Sequence, residues 1–132
     1  MTRLVNPPSL MTRGYYNHAV VKTGTPVFLT GQVAWDKDGN VVGIGDIAAQ
    51  IAQVWKNIDA LLVELGAARH DIVKIVTFAT SRDFLPALHA ERSRFFGSGP
   101  YPASTFIMVA GLAEPELLVE IDAVVMLPQA AA

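Results

Sequence analysis

The stretch "LLVEIDAVVML" (residues 117–127) is apolar enough to be a buried strand, yet it carries Glu120 and Asp122. Positions two apart in a strand face the same side. Glu120 and Asp122 therefore share a face with Leu118, Val124 and Met126, while Val119, Ile121, Ala123 and Val125 form an unbroken apolar face. The apolar face needs a layer of structure to cover it. The carboxylate face meets water, a pocket or an interface.

Helices that would supply the cover are legible upstream. From Asp46, apolar residues fall at Ile47, Ile51, Val54, Ile58, Leu61, Leu62 and Leu65, the spacing of one helical face. Gly66 follows as the expected stop. Gln50, Gln53, Lys56, Asn57 and Glu64 form the other face and read as solvated. "DFLPALHAERSRFF" (83–96) reads as a second helix, with Pro86 tolerable in its first turn.

The remaining segments read as strands. "DIVKIVTFAT" (71–80) is a β-branched run suited to a central strand. "HAVVK" (18–22) and "VFLTGQVAW" (27–35) read as two strands joined at "TGTP", and "STFIMVAGL" (104–112) precedes the last strand through Glu114-Pro115. Residues 1–14 read as an irregular arm. The order predicts one α+β domain over residues 1–132, a single antiparallel or mixed sheet with two helices on one face.

Composition narrows the function. The chain is 52% hydrophobic and only 17% charged, which suits a small domain that hides apolar surface in a homo-oligomer. Net charge is −2 and the ten Lys and Arg residues are scattered, so nucleic acid is disfavoured as a partner. With no cysteine, disulfides, thiolate nucleophiles and Cys-based metal sites are excluded. "MTRLVNPPSL" (1–10) lacks the apolar core of a signal peptide and no apolar run reaches about 18 residues. A cytoplasmic protein without a membrane partner is expected.

Familiar catalytic motifs are missing. "GIG" (43–45) lacks the third glycine of a dinucleotide loop. His18, His70 and His89 have no metal-ligand spacing, and no serine sits in a nucleophile-elbow context. No metal and no organic cofactor is expected.

Seven segments together are more specific than any one of them: "GYYNHAV" (14–20), "LTGQVA" (29–34), "QVWKNIDALLVELGA" (53–67), "DIVKIVTF" (71–78), "RFF" (94–96), "YPAST" (101–105) and "LLVEIDAV" (117–124). In this order the chain resembles the RidA (YjgF) family over nearly its full length. The resemblance implies a chorismate-mutase-like subunit in a homotrimer with clefts between subunits. It also implies hydrolysis of reactive imines and enamines, without a cofactor. By position, the resemblance makes Glu120 the catalytic group that positions or activates water. Thr105 and Phe106 would border it, and Tyr16, Thr30, Gly31 and His89 would be added by a neighbouring subunit to bind substrate.

One position departs from the pattern. Deaminase-active members carry an arginine where this chain has Ser104, and that arginine grips the substrate carboxylate. A guanidinium makes two parallel charge-assisted bonds to a carboxylate, whereas a serine offers one neutral donor. The loss costs a few kcal/mol, on the order of a hundredfold in affinity. Either another cation enters the cleft, with His89 and Arg13 the candidates, or the substrate has no carboxylate there and Phe106 faces a more apolar ligand. The sequence favours the second alternative. The expected function is a divergent imine or enamine deaminase or related hydrolase. The alternatives are a non-catalytic, small-ligand-binding or regulatory trimer, and an RNA-cleaving role that the acidic balance opposes.

Overall fold

The chain runs β1 (Thr2–Val5), β2 (Ala19–Lys22), β3 (Thr25–Phe28), α1 (Ile47–Leu65), β4 (Ile72–Ala79), α2 (Leu85–Phe96), β5 (Ala103–Met108) and β6 (Val119–Leu127) in the computed structural model, which describes residues 2–129. Four strands form a mixed sheet in the order β3-β6-β4-β5, antiparallel except for the β4–β5 pair. Both helices pack on one face of it, so the fold is α+β.

The alternation of β6 is realised in full. Val119, Ile121, Ala123 and Val125 are buried on the helix side, and Glu120, Asp122, Val124 and Met126 lie half-buried on the outer side. Helix α1 begins where Asp46 accepts a hydrogen bond from the Ala49 N–H at 3.1 Å and ends at Gly66, in the left-handed conformation at φ 69°. Ile51, Val54, Ile58 and Leu62 of its apolar stripe are buried. Trp55 stacks on Phe95 of α2 with centroids 4.3 Å apart, which joins the two helices.

Several expectations are corrected. Residues 1–14 are not wholly irregular, because Thr2–Val5 pairs antiparallel with Ala19–Lys22. β2 is therefore taken by β1 and forms no hairpin with β3. That two-stranded ribbon is tied to the start of β4 by the buried Lys22 ammonium, 2.5 Å from Asp71. Burial pushes the Asp71 carboxyl up, but Lys22, the Ala68 N–H and nearby His70 outweigh it and hold the group below its ordinary value. The strand expected over 27–35 ends at Phe28 and resumes only as isolated bridges, from Gln32 to Ile121 and from Trp35 to Val41. β5 does not pair with β6, because α2 carries it across to lie parallel to β4.

Gln50 is the sharpest correction. It is 0% exposed, and its amide donates to Gly43 O at 3.1 Å and Glu116 O at 2.8 Å while accepting from Leu118 N–H at 2.9 Å. A polar residue on the expected solvent face instead fastens α1 to the approach of β6. Buried polar groups persist when their partners are complete.

Candidate functional site

The expected site residues fall into two groups on opposite faces of the sheet. Ser104 and Phe106 of β5 stand opposite Ile75 and Thr77 of β4, both buried on the helix side. Glu120 stands opposite Phe78 and faces the other way. No single chain brings Glu120 and Ser104 together.

The first group surrounds a cavity of about 190 Å³ between β5, α2 and the segment before β2. Leu85, His89 and Arg92 line it from α2, at the i, i+4, i+7 spacing of one helical face. Tyr15 and Tyr16 close the opposite side. The Tyr15 ring stacks on His89 at 3.9 Å and 29°, and the Tyr16 hydroxyl donates to Met11 O at 3.2 Å. Asn17 holds this segment in place. Its side chain donates to Tyr101 O at 2.7 Å and its backbone N–H to Pro102 O at 3.3 Å.

Arg92 is a cavity residue that the sequence patterns do not single out. It is 4% exposed, its Nη1 donates to Tyr15 O at 3.2 Å, and its guanidinium lies 5.5 Å from the Tyr15 ring centroid. Its Nε is buried without a partner. The sequence held one signal for it, since Leu88, Arg92, Phe95 and Phe96 are the buried face of α2 and one of these four is a cation. Of the two cations expected near Ser104, Arg13 is exposed. Burial, with Arg92 second, pushes the His89 imidazolium to lose its proton more easily. The cation beside Ser104 is Arg92.

The second group forms around Glu120. Leu29 N–H donates to Ala123 O at 3.1 Å, and Gln32 exchanges hydrogen bonds with Ile121 at 2.9 and 3.0 Å. Thr30 and Gly31 therefore oppose the single residue Asp122, the arrangement of a β-bulge. The bulge lays Gly31 against the carboxylates. A Cβ at Gly31 would overlap Glu120 Oε2 and stand 3.0 Å from Asp122 Oδ1. Burial raises the Glu120 pKa, and Asp122 raises it further. Among the described residues neither carboxylate has an ion-pair partner. Asp122 thus acts as a like charge beside Glu120.

Thr105 joins neither group. It lies exposed on the outer face, where its hydroxyl accepts from Lys74 Nζ at 2.9 Å. Among the described residues no cluster of three His, Asp or Glu side chains could hold a metal ion, and no helix is long and apolar enough to cross a membrane.

Comparison with known proteins places this arrangement. Residues 7–127 match the family model described as Endoribonuclease L-PSP. A RutC family protein of Synechocystis is 34% identical over 116 residues, covering 87% of this chain and 88% of that protein. The 2-iminobutanoate/2-iminopropanoate deaminase of Dermatophagoides farinae is 32% identical over 114 residues, covering 86% of this chain and 87% of that protein. The crystal structure of YyfB from Yersinia pestis, a Rid family protein of unknown function, superposes with a TM-score of 0.90 at 35% identity, over 96% of this chain and 98% of that one.

Proposed function

The chain belongs to the Endoribonuclease L-PSP (YjgF/RidA) family, and from that premise we propose that it hydrolyses small imines and enamines to carbonyl compounds and ammonia. The observation that carries this reading is Glu120, a half-buried carboxyl without a cation partner among the described residues, its pKa raised by burial and by Asp122. A carboxyl titrating nearer neutrality exchanges protons efficiently with water and with an imine nitrogen.

The steps balance as follows. Protonated Glu120 gives its proton to the imine nitrogen, and the resulting carboxylate takes a proton from water as the water oxygen bonds to carbon. Glu120 then protonates the amine of this carbinolamine. The C–N bond breaks with its electron pair on nitrogen, ammonia leaves, and the hydroxyl proton returns to Glu120 as the carbonyl forms. One water is consumed and no cofactor takes part.

Because Glu120 and Ser104 face opposite sides of one sheet, the reading needs more than one copy of the chain. A cleft would pair the Tyr16, His89, Ser104 and Phe106 group of one subunit with the Thr30, Gly31 and Glu120 group of the next, in a homotrimer. The drawing of the subunit boundary differs from the sequence expectation, because Gly31 already packs on Glu120 of its own chain.

Ser104 favours a second reading, a trimer that binds a small ligand without turning it over. The RNA cleavage implied by the family description finds no support in a chain of net charge −2. Ammonia release from freshly generated 2-aminoacrylate and 2-iminobutanoate decides between enzyme and binder. The wild type should exceed buffer, and Glu120→Gln should lose on the order of a hundredfold or more. A wild type no faster than buffer, yet thermally stabilised by the matching keto acid, would establish the binding module instead.

A further inference from the structure

The geometry points to Arg92 as the anion-binding residue of the Ser104 cavity, and to a small carboxylate as the ligand it holds. A guanidinium that is 4% exposed normally has a carboxylate beside it, because a buried cation without a counter-charge is costly. Among the described residues Arg92 has none. The neighbouring Glu91 is already bound to Arg94 at 2.7 Å. Of the five N–H donors a guanidinium offers, one is used by Tyr15 O, and the Nε–H is buried with no acceptor.

The cavity itself lacks an anion. Its polar wall beside Arg92 is Ser104, His89 and the two tyrosines, with no carboxylate among them. The face of the Tyr15 ring, 5.5 Å from the guanidinium, offsets part of the unpaired charge and leaves the N–H edge unanswered. About 190 Å³ accommodates on the order of six water-sized groups at about 30 Å³ each, the size of a three- or four-carbon keto or imino acid. Ser104 contributes by being short, since a larger side chain on β5 would fill this space. The charge that family members place on β5 is supplied here from α2. The sequence-based preference for a ligand without a carboxylate is thereby reversed.

This inference rests on the cleft reading above, since it names the acid end of that substrate. Its test reads binding in the full-length protein, so a failure of turnover leaves it standing. The probes are 2-oxobutanoate, the uncharged 2-oxobutanamide and inorganic phosphate. With wild type, 2-oxobutanoate should bind at least tenfold more tightly than the amide or phosphate by calorimetry. It should also saturably shift the side-chain Nε–H resonance of Arg92, assigned by its disappearance in Arg92→Lys. Arg92→Lys, which keeps the charge but loses the planar fork, should weaken 2-oxobutanoate at least fivefold and leave the amide unchanged.

Equal binding of acid and amide, tighter binding of phosphate, or unchanged affinity in Arg92→Lys would overturn it. Should Arg92→Lys fail to fold, Ser104→Asp gives an independent result. The new carboxylate should pair with Arg92, raise the melting temperature and abolish 2-oxobutanoate binding. A Ser104→Asp protein that melts lower and binds 2-oxobutanoate as before would also overturn the assignment.

Discussion

Gly31 leaves empty the space that the Glu120 carboxyl occupies. A Cβ there would overlap Oε2 and stand 2.8 Å from Cδ. The backbone at Gly31 is not in a positive-φ conformation, so glycine is required here by proximity alone. Gly31→Ala should fold, at a cost under about 1 kcal/mol, because only the end of a flexible side chain has to move. Its turnover should nevertheless fall on the order of tenfold to a hundredfold as Glu120 is displaced. Parallel melting curves and ammonia-release rates test this, and an unchanged rate would separate Glu120 from the chemistry.

The protonation of Glu120 is also readable in stability. Burial and then Asp122 raise its pKa above the ordinary 4.5, so the folded chain holds this proton more tightly than the unfolded one. The associated stability is fully present below about 4.5 and is lost as pH rises through the folded value. Glu120→Gln carries no such loss. It should therefore melt above wild type at pH 8, with the two curves converging toward pH 4. A constant offset across that range would count against the shift.

Gln50 offers a purely structural test. Gln50→Leu keeps the side-chain volume but leaves Glu116 O and Leu118 N–H without their partners. The expected cost is about 3 kcal/mol, a fall in Tm on the order of 10 °C. Thermal denaturation monitored by circular dichroism would show it.

Ser104→Arg distinguishes the structure from the family pattern. On sequence alone the substitution restores a missing group. With Arg92 already lining the same cavity, it instead crowds a second guanidinium against the first. A loss of about 1–3 kcal/mol is expected, with no gain in turnover. Recovery of part of that loss on adding 2-oxobutanoate would be consistent with two cations sharing one anion.

What the sequence made legible were the elements whose signals are local. The Asp46 cap, the apolar stripe and Gly66 delimit α1, and the alternation of β6 needs no distant information. Pairings decided by distant chain stayed hidden. The four residues of β1 carry too little pattern to announce a partner at Ala19–Lys22, and β5 lies beside β4 only because α2 spans them. The same holds at the site. The resemblance implies one cleft for Glu120, Tyr16 and Ser104, of which the chain itself brings Tyr16 and Ser104 to one cavity, and the alternation of β6 sets Glu120 on the outer face. An arginine in a charged helix reads as solvated, and only the packing of Tyr15 and β5 around α2 reveals Arg92 as interior. Gln50 reads as solvated for the same reason, two of its three partners lying 66 and 68 positions away.

Strand β6 gives the protein two sets of positions that can evolve separately. Val119, Ile121, Ala123 and Val125 answer to the volume of the interior, while Glu120, Asp122 and Val124 answer only to what the outer face must accomplish. A lineage acquiring a new substrate, or a library built to imitate one, can rewrite the second set while the first keeps the chain folded. Length is the forbidden variable. One residue inserted or deleted within the strand exchanges the two sets, burying both carboxylates against the helices and turning the interior outward. Point substitutions should accumulate at the outward positions far more readily than at the inward ones, and indels almost never.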